Sequence, residues 1–432
     1  MRDFFRNVSR TVLPCLLIAA QLFSMLSGGT FFQPRLKEDG GSAALPAYEK
    51  DLFRARLLTE DYLGAYWFEG VKVLTNRPHK DIESNWGYGG LLQLTYKMAL
   101  LDKAYLPRCE EVVEGLRYFR REPDGRFDGY SYTRAFCKDG ATQGVAYDDN
   151  MWLARDLTGL YELTGERKYL DLAREIADYL IADAFVELDP RMFIDKGWAL
   201  DPSEPLGGFY WDDRHEALHV CSNGPAVQLM AALARLTGEE RYLSHAVMAY
   251  RFLQTLVRSD GVFHDLMVFE KDAGNNITGV AHPAGPPYSY NSGSPITGAV
   301  ELYRATGDSA YLDCAKYWAK SADAYFARDS AAGVKDYPAG NVWFHSILLN
   351  GFTALAPYDA QAAVYIGHMQ DAIDYAYEHY LSDGSPPFSA RCLPDDWIDG
   401  WGDKNPKEQW VLDAGANATV YATLAWYHRP AG

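Results

Sequence analysis

Two adjacent carboxylates, Asp148 and Asp149, stand in the segment A-Y-D-D-N-M-W-L-A from Ala146 to Ala154, where a glycine-containing loop runs into a helical pattern. Two carboxyl groups about 5–5.5 Å apart can break a glycosidic bond with retention, one attacking the sugar carbon while the other protonates the departing oxygen. Neighbouring side chains on a tight loop-to-helix turn reach that separation. Two like charges so close also oppose each other's ionisation, which leaves a protonated acid beside a carboxylate. The structural alternative is that Asp148 caps the helix and Asp149 complements its dipole, a common use of Asp-Asp at a helix start.

Other segments strengthen the chemical reading. Tyr147, Asn150 and Trp152 flank the pair, G-G-F-Y-W-D-D-R-H at 207–215 ends a second long loop, and P-Y-S-Y-N-S-G at 287–293 ends a third. Trp211 and Tyr290 each sit beside a polar residue, Asp212 or Asn291. A ring paired with a hydrogen-bonding neighbour is what a sugar face needs, so both rings are expected to line a cleft. Taken alone, Asp212 and Asp213 read as a cap or a sugar ligand rather than a second catalytic pair.

Helices must hold these segments. L-T-G-E-R-K-Y-L at 163–170 recurs as L-T-G-E-E-R-Y-L at 236–243 and A-T-G-D-S-A-Y-L at 305–312, with a weaker copy, L-L-D-K-A-Y-L, at 100–106. The tyrosines at 105, 169, 242 and 311 are 64, 73 and 69 residues apart, which suits a helical hairpin plus a variable loop. In each strong copy one helix ends, Gly supplies a left-handed cap, an acidic residue opens the next helix and Tyr-Leu begins its buried face. Apolar periodicity places about twelve helices near 49–72, 86–101, 105–120, 149–163, 167–184, 214–236, 240–258, 291–306, 309–326, 342–355, 360–381 and 411–427. They group as six hairpins. Loops within hairpins are short and those between them long, so the long ones are expected to gather on one face and build the site there.

The order of these motifs resembles family 76 of the glycoside hydrolases, the α-1,6-mannanases. The resemblance is carried by Tyr147-Asp148-Asp149-Asn150-Met151-Trp152, by Gly207-Gly208-Phe209-Tyr210-Trp211-Asp212 with Ser222-Asn223-Gly224, and by Tyr288-Ser289-Tyr290-Asn291-Ser292-Gly293; it runs from about Trp86 to Ala354. It implies an all-α (α/α)6 barrel, endo-cleavage of α-1,6-linked mannose with retention, Asp148 as nucleophile and Asp149 as general acid/base. We expect Trp86, Tyr147, Asn150, Trp152, Trp211, Asp212, Asn223, Tyr290 and Asn291 to bind the substrate. Asp213, Arg214, His215 and Glu216 depart from the basic or polar residues usual in the family between the W-D cluster and S-N-G, which points to altered subsites. Two rivals remain. One is another enzyme on the same helical ring, an unsaturated-uronide hydrolase or sugar epimerase recruiting His219, His264, His282 or His345; the other is a glycan-binding protein without turnover.

Composition narrows the partners. Forty-one basic against fifty-eight acidic residues give a formal charge of -17, which repels phosphate backbones and excludes a nucleic-acid partner. Of the cysteines, Cys15 lies in the N-terminal segment; Cys109, Cys137, Cys221, Cys314 and Cys392 are widely spaced, their odd number leaves a free thiol, and Cys109 and Cys314 fall on helical patterns that bury inert thiols. No metal and no cofactor is expected. Asn276 and Asn417 open N-x-T triplets. Arg2, Arg6 and Arg10 precede the apolar run Thr11 to Leu26, so residues 1–30 read as a signal peptide or an uncleaved anchor, 31–48 as a linker and 49–432 as one catalytic domain. The expected protein is a monomer outside the cytoplasm, acting on a polysaccharide and touching a membrane only through that segment.

Overall fold

The structure is a computed structural model that describes residues 45–76, 82–132, 144–385, 388–402 and 410–430. The N-terminal targeting segment and Cys137 lie outside the described residues. Twelve helices form two concentric rings: α1 Ala47–Tyr66, α2 Asn85–Leu101, α3 Leu106–Gly115, α4 Tyr147–Thr164, α5 Arg167–Asp183, α6 Val220–Thr237, α7 Glu240–Gln254, α8 Tyr290–Thr306, α9 Ser309–Phe326, α10 Val342–Leu355, α11 Ala362–Tyr380 and α12 Val411–His428. The even-numbered helices pack side by side into a closed inner ring in the order α2, α4, α6, α8, α10, α12 and back to α2. Each odd-numbered helix covers one of them from outside. This is the (α/α)6 toroid. Five hairpins are continuous in sequence, and the sixth pairs the first helix with the last, α1 against α12. No helix of the described residues is long and apolar enough to cross a membrane.

The recurring joints explain the hairpins atom by atom. Gly165, Gly238 and Gly307 end α4, α6 and α8 with φ of 73, 75 and 77°, the left-handed conformation in which a Cβ is strained. The preceding threonine contributes as well. Thr164, Thr237 and Thr306 each donate to the carbonyl four residues back and accept from the N–H two residues on, tying helix end to helix start. The outer helices are amphipathic, as α5 shows with its buried stripe Tyr169, Leu170, Ala173, Ile176, Ala177 and Leu180. Inner helices are buried on all sides; in α12 every residue from Val411 to Ala425 is enclosed.

The long loops collect at the N-terminal ends of the inner helices and carry the strands: β1 Phe185–Leu188 with β2 Leu206–Phe209, and β3 Leu218–His219 with β4 Leu266–Lys271 and β5 Ile277–Ala284, all antiparallel. Two sequence expectations need correction here. The helix expected from 214 begins at Val220, because Asp212 turns the chain at Arg214, His215 takes a positive φ of 54°, and Leu218–His219 pair with β4. The helix expected to reach 72 ends at Tyr66, where Trp67–Phe68 pair with Val73–Leu74. Among the described cysteines Cys109, Cys221, Cys314 and Cys392 are free, Cys109 being buried and Cys314 only half-buried. Asn417 is fully buried within α12, so its triplet is no glycosylation site.

Close helix approach explains a glycine quoted in the sequence motifs. A Cβ on Gly293 in α8 would lie 2.3 Å from the Ile347 carbonyl oxygen and 2.5 Å from the Leu348 Cα of α10, backbone atoms that move only if the helices part. We expect Gly293→Ala to cost about 3 kcal/mol in denaturant unfolding. Gly64→Ala, on an exposed face of α1 with nothing within 4 Å of the added Cβ, should instead stabilise by about 1 kcal/mol. Equal responses from the two variants would dismiss the close-approach argument.

Candidate active site

Loop pairing sets the site. The chain entering α4 bridges Ala146 to Asp212, the Tyr147 N–H donates to the Trp211 carbonyl at 2.8 Å, and the Asp213 N–H donates to Val145 at 3.0 Å. Tyr210 then bridges to Leu218, and β3 lies on β4. This small ladder brings Trp211, His219 and Asp265 to the first turn of α4, where Asp148 and Asp149 stand.

Asp148 is partly exposed and well provided with donors. Its Oδ1 accepts the Asp149 N–H at 3.0 Å, and the Cys221 thiol and the Trp211 indole lie close enough to favour its charged form. Burial pushes its pKa up to about 6, while Cys221, the Asp149 N–H, the charge of His219 and Trp211 all pull it back. The thiol stays protonated beside that carboxylate: burial, then the charge of Asp148, hold its pKa well above its ordinary range. Behind it Asp265 accepts from the Asn291 amide at 2.8 Å and faces His219 Nδ1 at 3.4 Å.

Asp149 is the opposite case. It is 6% exposed, its Oδ2 has no partner within the protein, and burial followed by the charge of Asp148 holds its carboxyl well above the usual range. One aspartate is thus solvated by donors and the other is starved of them. Neither sits at the N-cap, which is Ala146, although Asp148 does bind one N–H of the first turn.

Aromatic rings form the wall around the pair. Trp86 meets Trp343 edge-on at 5.6 Å and Trp410 at 4.9 Å, Trp152 meets Trp343 at 5.1 Å, and Tyr290 stacks on Phe344 at 4.1 Å. Trp211 is 37% exposed at the mouth. Several expected sugar ligands are corrected. Tyr147 is fully buried and its hydroxyl binds Asp183 and His215. Asn150 spends its amide on the backbone of Tyr130 and Ala146, and Asn223 on that of Phe209 and His219. Asn291 is buried against Asp265, and Asp212 is engaged by Arg214. Trp152, 4% exposed, lies beneath the pair rather than in the cleft. The asparagines are ties that hold each incoming loop to its inner helix.

Sequence reasoning missed Cys221 and Asp265 and did not connect His219 with the pair. Cys221 and His219 fall inside H-V-C-S-N-G beside a quoted motif, whereas Asp265 carries no local signal. Tyr132, 43% exposed, and the buried Glu83, which accepts from Ser84 and Trp410, complete the rim. Of the remaining histidines, His345 is buried between Ser289 and the Pro338 carbonyl, and burial lowers its pKa to about 4.

Comparisons with known proteins agree with this fold. A search by sequence among curated proteins gives no significant match. By structure, a family 76 mannosidase from Bacteroides thetaiotaomicron VPI-5482 is similar at a TM-score of 0.71 and 24% identity, over 87% of this chain and 98% of that one. An inactive variant of the α-1,6-mannanase of Salegentibacter sp. HEL1_6, with two consecutive aspartates changed to asparagine and bound to α-1,6-mannotriose, is similar at 0.67 and 19% identity, over 87% and 99% of the chains. An unsaturated glucuronyl hydrolase from Streptococcus agalactiae shares the fold at 0.55 and 14% identity, over 88% and 92%. The family model of glycosyl hydrolase family 76 matches residues 124–378, more than half of the sequence, and the chain therefore belongs to that family.

Proposed function

We propose that this glycoside hydrolase cleaves α-1,6-linked mannan internally with retention, Asp148 acting as nucleophile and Asp149 as general acid/base. The observation that carries the reading is the contrast within the pair: the Asp149 N–H, Cys221, His219 and Trp211 all favour the charge of the half-buried Asp148 carboxylate, while Asp149 is more deeply buried and without a partner at Oδ2. Asp148 attacks the anomeric carbon as its bond to the leaving oxygen breaks, and that oxygen takes the proton of Asp149. Asp149, now a carboxylate, takes a proton from water as the water oxygen attacks the same carbon and frees Asp148. The mannan specificity is supported by the similar Salegentibacter enzyme, whose variant at two consecutive aspartates is inactive and binds α-1,6-mannotriose. Incubation with linear α-1,6-mannan should give oligosaccharides that keep the α configuration. Products of inverted configuration, or none, would overturn the reading. Secretion or retention in the cell envelope belongs to the same proposal and is supported by the three arginines ahead of the apolar run; the mature activity should be recovered outside the cytoplasm.

The pair fixes the pH dependence. Asp148 must be ionised to attack, so kcat/KM should fall as pH drops below about 6, the value to which burial pushes its pKa. Replacing Trp211 by Phe removes an indole N–H that favours the charged carboxylate, which raises that pKa and should move the acidic limb to higher pH. An unmoved acidic limb would show that Trp211 does not serve Asp148.

A further inference from the structure

His219 is the last residue of β3 before α6 begins, and both its backbone and its side chain are held. It pairs with Leu266 of β4, and its carbonyl accepts the Asn223 amide at 2.8 Å. Its Nδ1 stands 3.4 Å from Asp265 Oδ2. Asp265 is itself pinned: Oδ1 accepts from the Asn291 amide at 2.8 Å, its N–H donates to Ala284 at 3.0 Å and its carbonyl accepts from Val220 at 2.8 Å. In the neutral ring a carboxylate at Nδ1 keeps the proton there, which leaves a lone pair on Nε2. The two ring nitrogens point apart, so Nε2 is directed away from Asp265, and it meets no partner among the described residues. The ring lies 5.2 Å from that of Trp211 at the mouth of the cleft, and the His219 side chain is 15% accessible. It is near enough to Asp148 that its charge favours the Asp148 carboxylate. A held imidazole thus offers one nitrogen beside the nucleophile.

The stereochemistry of the reaction says what that nitrogen meets. In an α-mannoside the leaving oxygen is axial on one face of the pyranose ring, and a carboxylate that displaces it enters from the opposite face. The axial 2-hydroxyl of mannose projects from that opposite face, one carbon from the reacting centre. In glucose, the epimer at this carbon, the 2-hydroxyl is equatorial. A side chain that flanks the nucleophile therefore meets the 2-hydroxyl of mannose, and hydrogen bonds to this hydroxyl strengthen in the transition state. We propose that His219 Nε2 accepts the 2-hydroxyl of the mannosyl unit that Asp148 attacks, with Asp265 as the positioning residue, and that this contact selects mannose over its C2 epimer. The inference rests on the reading of Asp148 as nucleophile. It gives the histidine a role in recognition, since the imidazole neither attacks the sugar nor protonates the leaving oxygen.

The test is a cycle between side chain and hydroxyl. It uses an activated aryl α-1,6-mannobioside and the analogue that lacks the 2-hydroxyl on the sugar bearing the aryl group. His219→Ala should lower kcat/KM about 100-fold on the first substrate and less than about threefold on the second, which has no 2-hydroxyl to lose. His219→Gln, whose amide can reach the position of Nε2, should recover about tenfold of that loss, and on the first substrate alone. Asp265→Asn turns an amide N–H toward Nδ1 and moves the ring proton to Nε2, so it too should lose activity selectively on the first substrate. The preference of the wild type for the mannoside over its aryl α-glucoside epimer should shrink by about tenfold or more in His219→Ala. Equal losses on the two mannosides, no recovery with Gln, or an unchanged epimer preference would overturn the proposal and leave His219 as a packing partner of Trp211. Full activity of Asp148→Asn on the aryl mannobioside would instead overturn the nucleophile reading, so the two failures are distinguishable.

Discussion

Asp148→Asn is expected to abolish hydrolysis of both mannan and an activated aryl mannoside, by about ten-thousand-fold or more, while the protein stays folded. An amide cannot attack the anomeric carbon, so no glycosyl-enzyme forms whatever the leaving group. Asp149→Asn behaves differently. It should lose about a hundred- to ten-thousand-fold on mannan, keep first-step activity on the activated substrate, accumulate the covalent intermediate, and recover partly with azide. Stability supplies a second signature. The folded pKa of Asp149 is raised above its unfolded value, so the folded state retains a proton that the unfolded chain releases. The stability linked to that proton is fully present below the unfolded value, near pH 4, and is lost as pH rises toward the folded one. Asp149→Asn escapes the loss, so its melting temperature should exceed the wild type's by a margin that widens from acid to neutral pH. A pair that merely began α4 would tolerate Asn, which caps as well as Asp, and near-wild-type turnover by either variant would sink the catalytic assignment.

The parts of the molecule legible in the sequence are those governed by local rules. The joints at Gly165, Gly238 and Gly307 follow from a left-handed cap beside a threonine, and the outer helices follow from a half-buried face. The inner helices obey a weaker rule. Burial on every side erases the polar stripe that marks a helix face, so the start of α6 was legible only through β3, which depends on β4 a whole hairpin later. The site divides in the same way. The aspartate pair is read from chemistry at adjacent positions, whereas Asp265 reaches Asn291 and His219 only through strand pairing. Polar residues inside the motifs mislead, because Asn150 and Asn223 have the chemistry of sugar ligands and spend it on backbone; side-chain direction is fixed by the loop that arrives, not by the neighbours in sequence.

Closing a ring whose first helix pairs with its last needs a fastening between distant segments, and Asp374 provides it. Its carboxylate binds Arg54 at 2.6 Å and Lys50 at 2.5 Å from α1, Tyr421 at 3.1 Å from α12, and Gln370 at 2.8 Å within α11. Arg54 is 1% exposed, lies over the Tyr377 ring at 4.1 Å and reaches across 320 residues of sequence to its partner. Nearby, Asp51 accepts from Gln370 at 3.1 Å and pairs with His428 at 2.8 Å, so three helices share one polar seam. Asp374→Ala would leave a buried guanidinium that cannot deprotonate, with the Tyr377 ring, the Tyr421 hydroxyl and the exposed Glu378, 3.5 Å away, still near it but no buried carboxylate bound to it. We expect a loss of about 3–5 kcal/mol in denaturant unfolding. Adding Arg54→Met should recover part of that loss, since an apolar chain in the same space needs no counter-charge, and hydrogen exchange in α1 should speed up more than in α7. Tightly paired surface charges contribute about 0–1 kcal/mol. A loss within that range, or a double variant less stable than Asp374→Ala alone, would show that α1 is held by apolar packing against α12 and that the seam only decorates it.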